Sequence, residues 1–314
     1  MKKLIDKLKG IFHNAILLLS YRPWGRAVRP MIISIIDGKI HQGGLADRIK
    51  QILSIYAFCR VNSYKFGLIS NFPYDLSNYL KPNYDWRVTE ENFSRNIFWA
   101  HPIFTGNCAL DKLKALLILK RRQNHVYALS SVSMFMLIKE TGFDVGKLFD
   151  ELFIPIPEIS TFINKYRLQY KSWESLHFRF QNLLGDFNEP LKYQYKKVKL
   201  TDIEKEQHLM KCYQYVIDES FKITHYLLVC SDSISFLKKV STIPKVLVIP
   251  GEITHTDFTS SGDFKLHLKS FLDFFMISES ESVRSVHTSV MYPSGFPSLA
   301  AAIRGVKFER VLLE

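Results

Sequence analysis

Apolar and polar positions along this chain alternate between strand-like and helix-like segments, and they do so in two separate runs. Met31 to Asp37 reads M-I-I-S-I-I-D, a short β-branched run of the kind that forms a buried strand. Asp37 and Gly38 turn the chain, Gly43-Gly44 opens the next segment, and Leu45, Ile49, Ile52, Leu53, Tyr56 and Ala57 then recur at helical spacing. Tyr64 to Ser70 is a second strand candidate, Asp75 to Leu80 a short helix, and residues 83–108 read as an irregular aromatic region. Leu110 to Arg121 and Val132 to Glu140 predict helices around a strand at His125 to Ser130. Asp144 to Phe153 and Ile159 to Tyr170 are helical, interrupted by Pro155 and Pro157.

The second run begins with a strand at Ser175 to Phe180 and a polar, basic loop over 183–196. Thr201 to Phe221 is a long helix, with Thr201 and Glu204 at capping-box spacing. Strands are expected at His225 to Cys230, Lys245 to Ile249 and Ser282 to His287, and helices at Ile234 to Val240, Lys265 to Ile277 and Gly295 to Arg304. Strands alternating with helices imply parallel sheets covered on both faces. A split near residues 155–172 gives two α/β domains, 31–165 and 166–314, facing across a cleft, with ligands at the carboxyl ends of the strands.

Residues 1–30 form a basic segment of their own. Leu4, Ile5, Leu8, Ile11, Phe12, Ala15, Leu18 and Leu19 make one helical face, with Lys2, Lys3, Lys7 and Lys9 largely on the other. The apolar run is too short to span a bilayer and has no small-residue cleavage site. Two readings stand side by side: an interfacial helix resting on an anionic membrane through residues 1–20, and an amphipathic helix packed on its own domain.

Composition narrows the class. Of 314 residues, 47% are hydrophobic and 23% charged, which fits a globular protein with a sizeable core. The formal net charge of +12 suits phosphate-bearing ligands and anionic surfaces. The lysines are dispersed and no nucleic-acid signature motif occurs, so no nucleic-acid partner is expected. Cys59, Cys108, Cys212 and Cys230 are widely spaced among apolar neighbours, which points to a reducing, cytoplasmic setting and to no zinc site.

Four places carry candidate chemistry. Gly43-Gly44-Leu45 lies between a strand and a helix, with Arg48 one turn in, a layout that aims backbone N–H groups at an anion and that equally serves as turn chemistry. In Leu176-His177-Phe178-Arg179-Phe180, His177 and Arg179 share one strand face, and the arginine can grip a phosphate bidentately. The alternative there is a strand face turned to solvent. Ser231-Asp232-Ser233 follows an apolar strand and can serve a ribose, a base or a phosphate, or simply cap the next helix. Tyr292-Pro293-Ser294-Gly295-Phe296-Pro297-Ser298 opens an alanine-rich helix and offers the same choice between diphosphate cradle and cap.

The order G-G-L-A-D-R-I-K, then H-F-R, then C-S-D-S, then L-K-S-F-L-D-F-F-M-I-S and S-G-F-P-S-L-A-A resembles the bacterial fucosyltransferase-like glycosyltransferases. These belong with protein O-fucosyltransferases, nodulation fucosyltransferases and plant xyloglucan fucosyltransferases. The likeness covers roughly residues 31–310. It implies a GT-B fold of two facing Rossmann-like domains, a GDP-sugar donor, no metal or other cofactor, and inversion at the anomeric carbon. By the same resemblance Arg179 contacts the donor diphosphate, His177 lines its pocket, Asp232 lies near guanosine, and Ser294, Gly295 and Phe296 hold the phosphates. Gly43, Gly44 and Leu45 match the N-terminal loop that closes on donor and acceptor. Read from the residues alone, Arg48, one turn into that helix, and Ser233, beside Asp232, join the donor-binding candidates. Many relatives carry glycine soon after H-x-R, where this chain has Gln181-Asn182.

The expected activity is therefore metal-independent fucosyl transfer from GDP-fucose to a bacterial surface glycan, at the inner face of the cell membrane. No D-x-D occurs, which argues against the metal-dependent fold. For the general base, Asp47 beside the glycine loop is the first choice, ahead of Asp186, His255 and Asp257. Transfer of another nucleotide sugar and a non-catalytic glycan-binding protein docked on a membrane are the competing readings, and a phosphate-steered nucleic-acid binder, marked by steeply salt-dependent affinity, is a third.

Overall fold

The computed structural model describes residues 15, 19–104, 122–127, 138–187, 189, 195–257 and 259–314. The chain divides into two compact units, Met1–Ile154 and Pro155–Glu314. The expected helix at 110–121, most of that at 132–140, and nearly all of the basic segment 1–20 lie outside the described residues. No helix among the described residues is long and apolar enough to cross a membrane.

In the first unit, β1 (Met31–Ile36), β2 (Phe66–Ser70), β4 (Ala100–Phe104) and β5 (Gln123–Tyr127) form a parallel sheet in the order β2-β1-β5-β4. All six residues of β1 are buried, as its unbroken apolar run demands of a central parallel strand. Helix α1 (Leu45–Val61) is buried around most of its circumference. The polar residues it carries inward are therefore paired: Gln51 donates to the Ser34 hydroxyl at 2.9 Å, and Gln42 donates to Gln51 at 3.0 Å and to the Ile35 carbonyl at 2.8 Å. A short strand β3 (Leu80–Pro82) pairs with β6 (Phe153–Pro155), which follows α2 (Val145–Leu152).

In the second unit the sheet runs β11-β10-β7-β8-β9, again all parallel, from β7 (Trp173–Phe178), β8 (Tyr226–Ser231), β9 (Val246–Leu247), β10 (Ser282–Thr288) and β11 (Lys307–Leu313). The helices are α3 (Pro157–Tyr170), α4 (Asp202–Lys222), α5 (Ile234–Val240), α6 (Phe264–Ser278) and α7 (Phe296–Ala302). The capping box at Thr201 and Glu204 is formed in full, and the Asp263 carboxylate accepts from Lys265 and Leu266 N–H to start α6. Leu176, Phe178, Phe180, Val229, Phe236 and Val286 meet in one apolar core.

Three expectations are corrected. Residues 83–108 are not wholly irregular, because β4 lies within them and pairs along its full length with β5. Asp75 to Leu80 is one 3-10 turn, Leu76–Asn78, capped by Asp75, and the chain then straightens into β3. The expected strand at Lys245 to Ile249 shrinks to Val246–Leu247: Lys245 lies in the left-handed region at φ 64°, which no strand residue adopts, and Pro250 ends the segment without an N–H. Strand β11 has no counterpart in the sequence reading.

Candidate functional site

The parallel register of β7 and β8 pairs Phe178 with Ser231. Arg179 and Asp232 each follow directly, so two residues far apart in sequence emerge side by side at the carboxyl ends of central strands, where α/β sheets bind ligands. The Arg179 side chain is only 16% exposed. One terminal nitrogen lies 2.9 Å from Asp232 Oδ2 and the other 2.9 Å from Glu189 Oε2, while the Phe187 ring lies 4.8 Å beneath the carbon. A guanidinium has five N–H donors, so this clamp leaves others directed elsewhere. Burial pushes the Asp232 carboxyl up from its ordinary range while Arg179 pulls it back, and Glu189 behaves alike, with Asp232 adding to its rise.

Asp232 does more than pair the arginine. Its two oxygens accept from the backbone N–H of Phe180 at 2.8 Å and of Gln181 at 2.7 Å. The carboxylate thus holds the turn that presents Arg179. Gln181 sits at φ 55°, in the left-handed region that favours glycine. Its side chain donates to Glu189 at 3.2 Å and accepts from Tyr195 N–H at 2.8 Å. Those bonds are unavailable to glycine and account for glutamine at this position.

His177 is buried and its ring lies 5.6 Å from that of Phe296. Burial, then Arg179 and Lys269, push its pKa down to about 3, so it is a neutral group here. Its Nδ1 has no hydrogen-bond partner among the described residues. Ser294 is buried, and its hydroxyl accepts from Phe296 N–H at 3.2 Å across Gly295. Ser233 caps α5 by accepting from Phe236 N–H at 3.1 Å, and donates to Asp186 at 2.8 Å. Asp186 is thereby tied to the α5 start, also accepting from Ser235 N–H at 2.8 Å. His255 faces Phe187 at 6.3 Å between ring centres, and its Nδ1 accepts from Asp257 N–H at 3.2 Å. Beneath this set, Lys269 donates to both Asp273 oxygens at 2.9 and 2.7 Å. Gly251 is pressed on the lysine stem so closely that a β-carbon would lie 2.9 Å from Lys269 Cβ. His177, Arg179, Asp232, Ser233, Ser294, Gly295 and Phe296 therefore gather at one end of the second unit's sheet.

Gly43, Gly44, Leu45, Asp47 and Arg48 gather separately, in the first unit at the start of α1. Gly43 has φ +83, and a β-carbon there would meet Asp47 Oδ2 at 2.6 Å. Gly44 is the N-cap, with no side chain to cap the helix. Arg48 is buried and braces the loop, its Nε donating to the Gly43 carbonyl at 3.0 Å and its terminal nitrogen to the Phe72 carbonyl. Asp47 lies 3.6 Å from Lys50 Nζ.

Sequence reasoning missed Glu189, placed in a loop read only as polar and basic. It also missed a cluster at the carboxyl ends of β1 and β5, where the sheet order reverses. There Asp37 Oδ2 lies 3.5 Å from the Tyr127 hydroxyl, 3.5 Å from Lys39 Nζ and 4.0 Å from Arg95. An aspartate directly after a strand was the available signal.

No family model matches the chain, and no curated protein matches it in sequence. Among solved structures it is similar to NodZ alpha-1,6-fucosyltransferase co-crystallized with GDP, at TM-score 0.51 and 13% identity over 87% of this chain and 92% of that one. The same enzyme soaked with GDP-fucose gives TM-score 0.52 at 13% identity, over 88% and 92%. Fucosyltransferase NodZ from Bradyrhizobium gives 0.50 at 13% identity, over 87% and 92%. At this identity the likeness is one of fold: α/β, of the GT-B type.

Proposed function

We propose that this chain is a glycosyltransferase that takes GDP-fucose as donor and transfers the sugar with inversion to a glycan acceptor, without a metal ion. The carrying observation is the pinned Arg179, held by Asp232, Glu189 and Phe187 at the strand ends beside the Ser294–Phe296 loop. The fold neighbours having been obtained with GDP and with GDP-fucose supports the choice of donor. Bacterial surface polysaccharide as the acceptor, and work at the inner face of the cell membrane, extend the resemblance read from the sequence.

The chemistry follows from charge. The bond between the anomeric carbon and the β-phosphate oxygen breaks, and its electron pair stays on that oxygen. The carbon passes through an oxocarbenium-like state while an acceptor oxygen bonds it from the opposite face. The leaving diphosphate gains negative charge where Arg179 already stands, so no reorganisation is needed in the transition state. Asp232 and Glu189 fix the fork without consuming all its donors. His177, neutral, adds a polar ring without a competing charge. Asp47 takes the acceptor's proton, and Arg48 holds the loop that carries it.

The test is calorimetry with GDP, UDP, CMP and ADP on the wild-type chain and on Arg179→Ala. GDP is expected to bind best. The substitution is expected to weaken GDP by roughly ten- to a hundred-fold, the range of a hydrogen bond to a charged group. Arg179→Lys keeps the charge without the fork and is expected to fall between. Equal GDP affinity in wild type and Arg179→Ala would reject the arginine's role. A wild-type chain that binds no nucleotide would reject the enzyme.

A further inference from the structure

Two segments of the first unit are laced together outside its sheet. Arg22 N–H donates to the Arg95 carbonyl at 2.9 Å and Ile97 N–H to the Arg22 carbonyl at 3.0 Å. Asn96 Nδ2 donates to the Gly25 carbonyl at 3.0 Å, and the Ser94 hydroxyl to the Arg26 carbonyl at 3.0 Å. Six side chains fixed by this lacing face outward: Trp24 at 65% exposure, Phe98 at 61%, Ile97 and Trp99 at 41%, with Arg22 and Arg26 exposed among them. Large apolar side chains are ordinarily scattered singly on a surface, so four on one strap call for a partner.

Charge says which partner. From Ala15 to Ile36 and from Asn92 to Leu110 the sequence has no Asp or Glu. Arg22, Arg26 and Arg29 make no ion pair among the described residues, and Arg22 lies over the Trp24 ring at 6.0 Å. Arg26 donates to the backbone carbonyl of Glu91, not to its carboxylate. The acids nearest in sequence, Glu90 and Glu91, sit in the exposed turn beside the strap. Unpaired arginines around exposed tryptophan and phenylalanine match the two demands of a lipid interface, an anionic headgroup layer and an apolar boundary beneath it.

Pro30 directly precedes β1 and Trp99 directly precedes β4, so the strap leads into the amino-terminal ends of these strands. Its Arg95 reaches Asp37 beyond the carboxyl end of β1, at 4.0 Å, and is therefore held by the protein and not counted among the arginines offered to headgroups.

We propose that the strap formed by residues 21–29 and 94–99 docks this protein on an anionic lipid bilayer, with Trp24 and Phe98 entering the interface and Arg22, Arg26 and Arg29 facing the headgroups. The proposal is independent of the glycosyltransferase reading and of any contact made by residues 1–20. The test is co-sedimentation of the full chain with phosphatidylcholine vesicles, with and without about 30 mol % phosphatidylglycerol, a content that gives a negative surface potential. Binding is expected only with phosphatidylglycerol, to weaken in about 0.5 M salt as charges are screened, and to drop at least ten-fold in the double variant Trp24→Ser with Phe98→Ser. The triple variant Arg22→Gln, Arg26→Gln, Arg29→Gln is expected to lose the phosphatidylglycerol dependence. Brominated lipid is expected to quench tryptophan fluorescence in wild type and far less in Trp24→Phe. A circular dichroism melt matching wild type establishes that each variant is folded. Binding that survives the strap variants, and disappears only when Lys2, Lys3, Lys7 and Lys9 become Gln, overturns the proposal. So does wild-type self-association in solution that Trp24→Ser abolishes, because the strap is then an interface between copies.

Discussion

His177 sits one residue before the end of β7, sealed against Phe296, with its pKa pushed down to about 3 by burial and by Arg179 and Lys269. An unfolded histidine titrates near 6.5. Between those values the unfolded chain binds a proton that the native chain refuses, so this residue lowers native stability as the pH falls through the window. Asp232 and Glu189 have raised pKa values and act in the opposite sense, their contribution being lost as pH rises through the raised values. The comparison that isolates the histidine is wild type against His177→Gln, in which those carboxylates and the similarly depressed His125 remain present. Urea unfolding at steps from pH 7 to pH 4.5 should give a wild-type stability that falls relative to the variant by up to about 1.4 kcal/mol per pH unit below about 6.5. Parallel curves would mean that His177 accepts a proton in the native state, and its neutral role in the site would be lost.

At the scale of elements, the start of α1 joins backbone geometry to proposed chemistry. Gly43 takes φ +83, and a β-carbon there would approach Asp47 Oδ2 to 2.6 Å. Gly43→Ala should cost about 1–3 kcal/mol through left-handed strain and should displace the Asp47 carboxylate as well. Asp47→Asn leaves the space unchanged and removes the basicity, together with a half-exposed ion pair to Lys50 that contributes little to stability. We expect Asp47→Asn to melt like wild type and bind GDP like wild type while transfer falls about a hundred-fold or more, the scale of general-base catalysis. Gly43→Ala should lose both stability and transfer. Wild-type turnover in Asp47→Asn would remove the base from this helix and leave Gly43 with a purely structural part.

The same scale explains what the sequence allowed to be read. Helices α4, α5 and α6 begin at Thr201, Ser233 and Asp263, whose side chains accept from the first-turn N–H groups. That local chemistry marks a boundary before any tertiary contact exists. Strand β11 was illegible because it is an edge strand with Lys307, Glu309 and Arg310 among its apolar residues, which reads as a solvated tail. Strand β4 was hidden because Pro102 falls in its middle, a residue tolerated here since β4 is also an edge. Within the site, Arg179 and Asp232 were each readable as strand-end residues. Their contact was not, since it depends on the β7–β8 register, and Glu189 and Gln181 gain meaning only from that contact.

For the whole molecule, each of the two units carries its own parallel sheet, and that separation makes the nucleotide assignment testable without an acceptor. Arg179, Asp232, Ser233 and the Ser294–Phe296 loop all belong to the second unit. A ligand held there stabilises the amides of that unit, by about 2.7 kcal/mol when its concentration is a hundred times Kd. Hydrogen exchange with saturating GDP should therefore slow β7, β8, the turn at 179–187 and the segment 292–296. The resemblance read from the sequence has the Gly43–Leu45 loop closing on the donor, and on that reading its amides slow as well. The interior of the first sheet, around Ile33, Ile35 and Tyr127, should keep its rates. Slowing confined to the second unit would retain the arginine clamp and remove the closing loop. Slowing centred on β1 and β5 would instead move the nucleotide to the Asp37 cluster, where the order of the first sheet reverses, and Arg179 would then be an internal brace of the second unit.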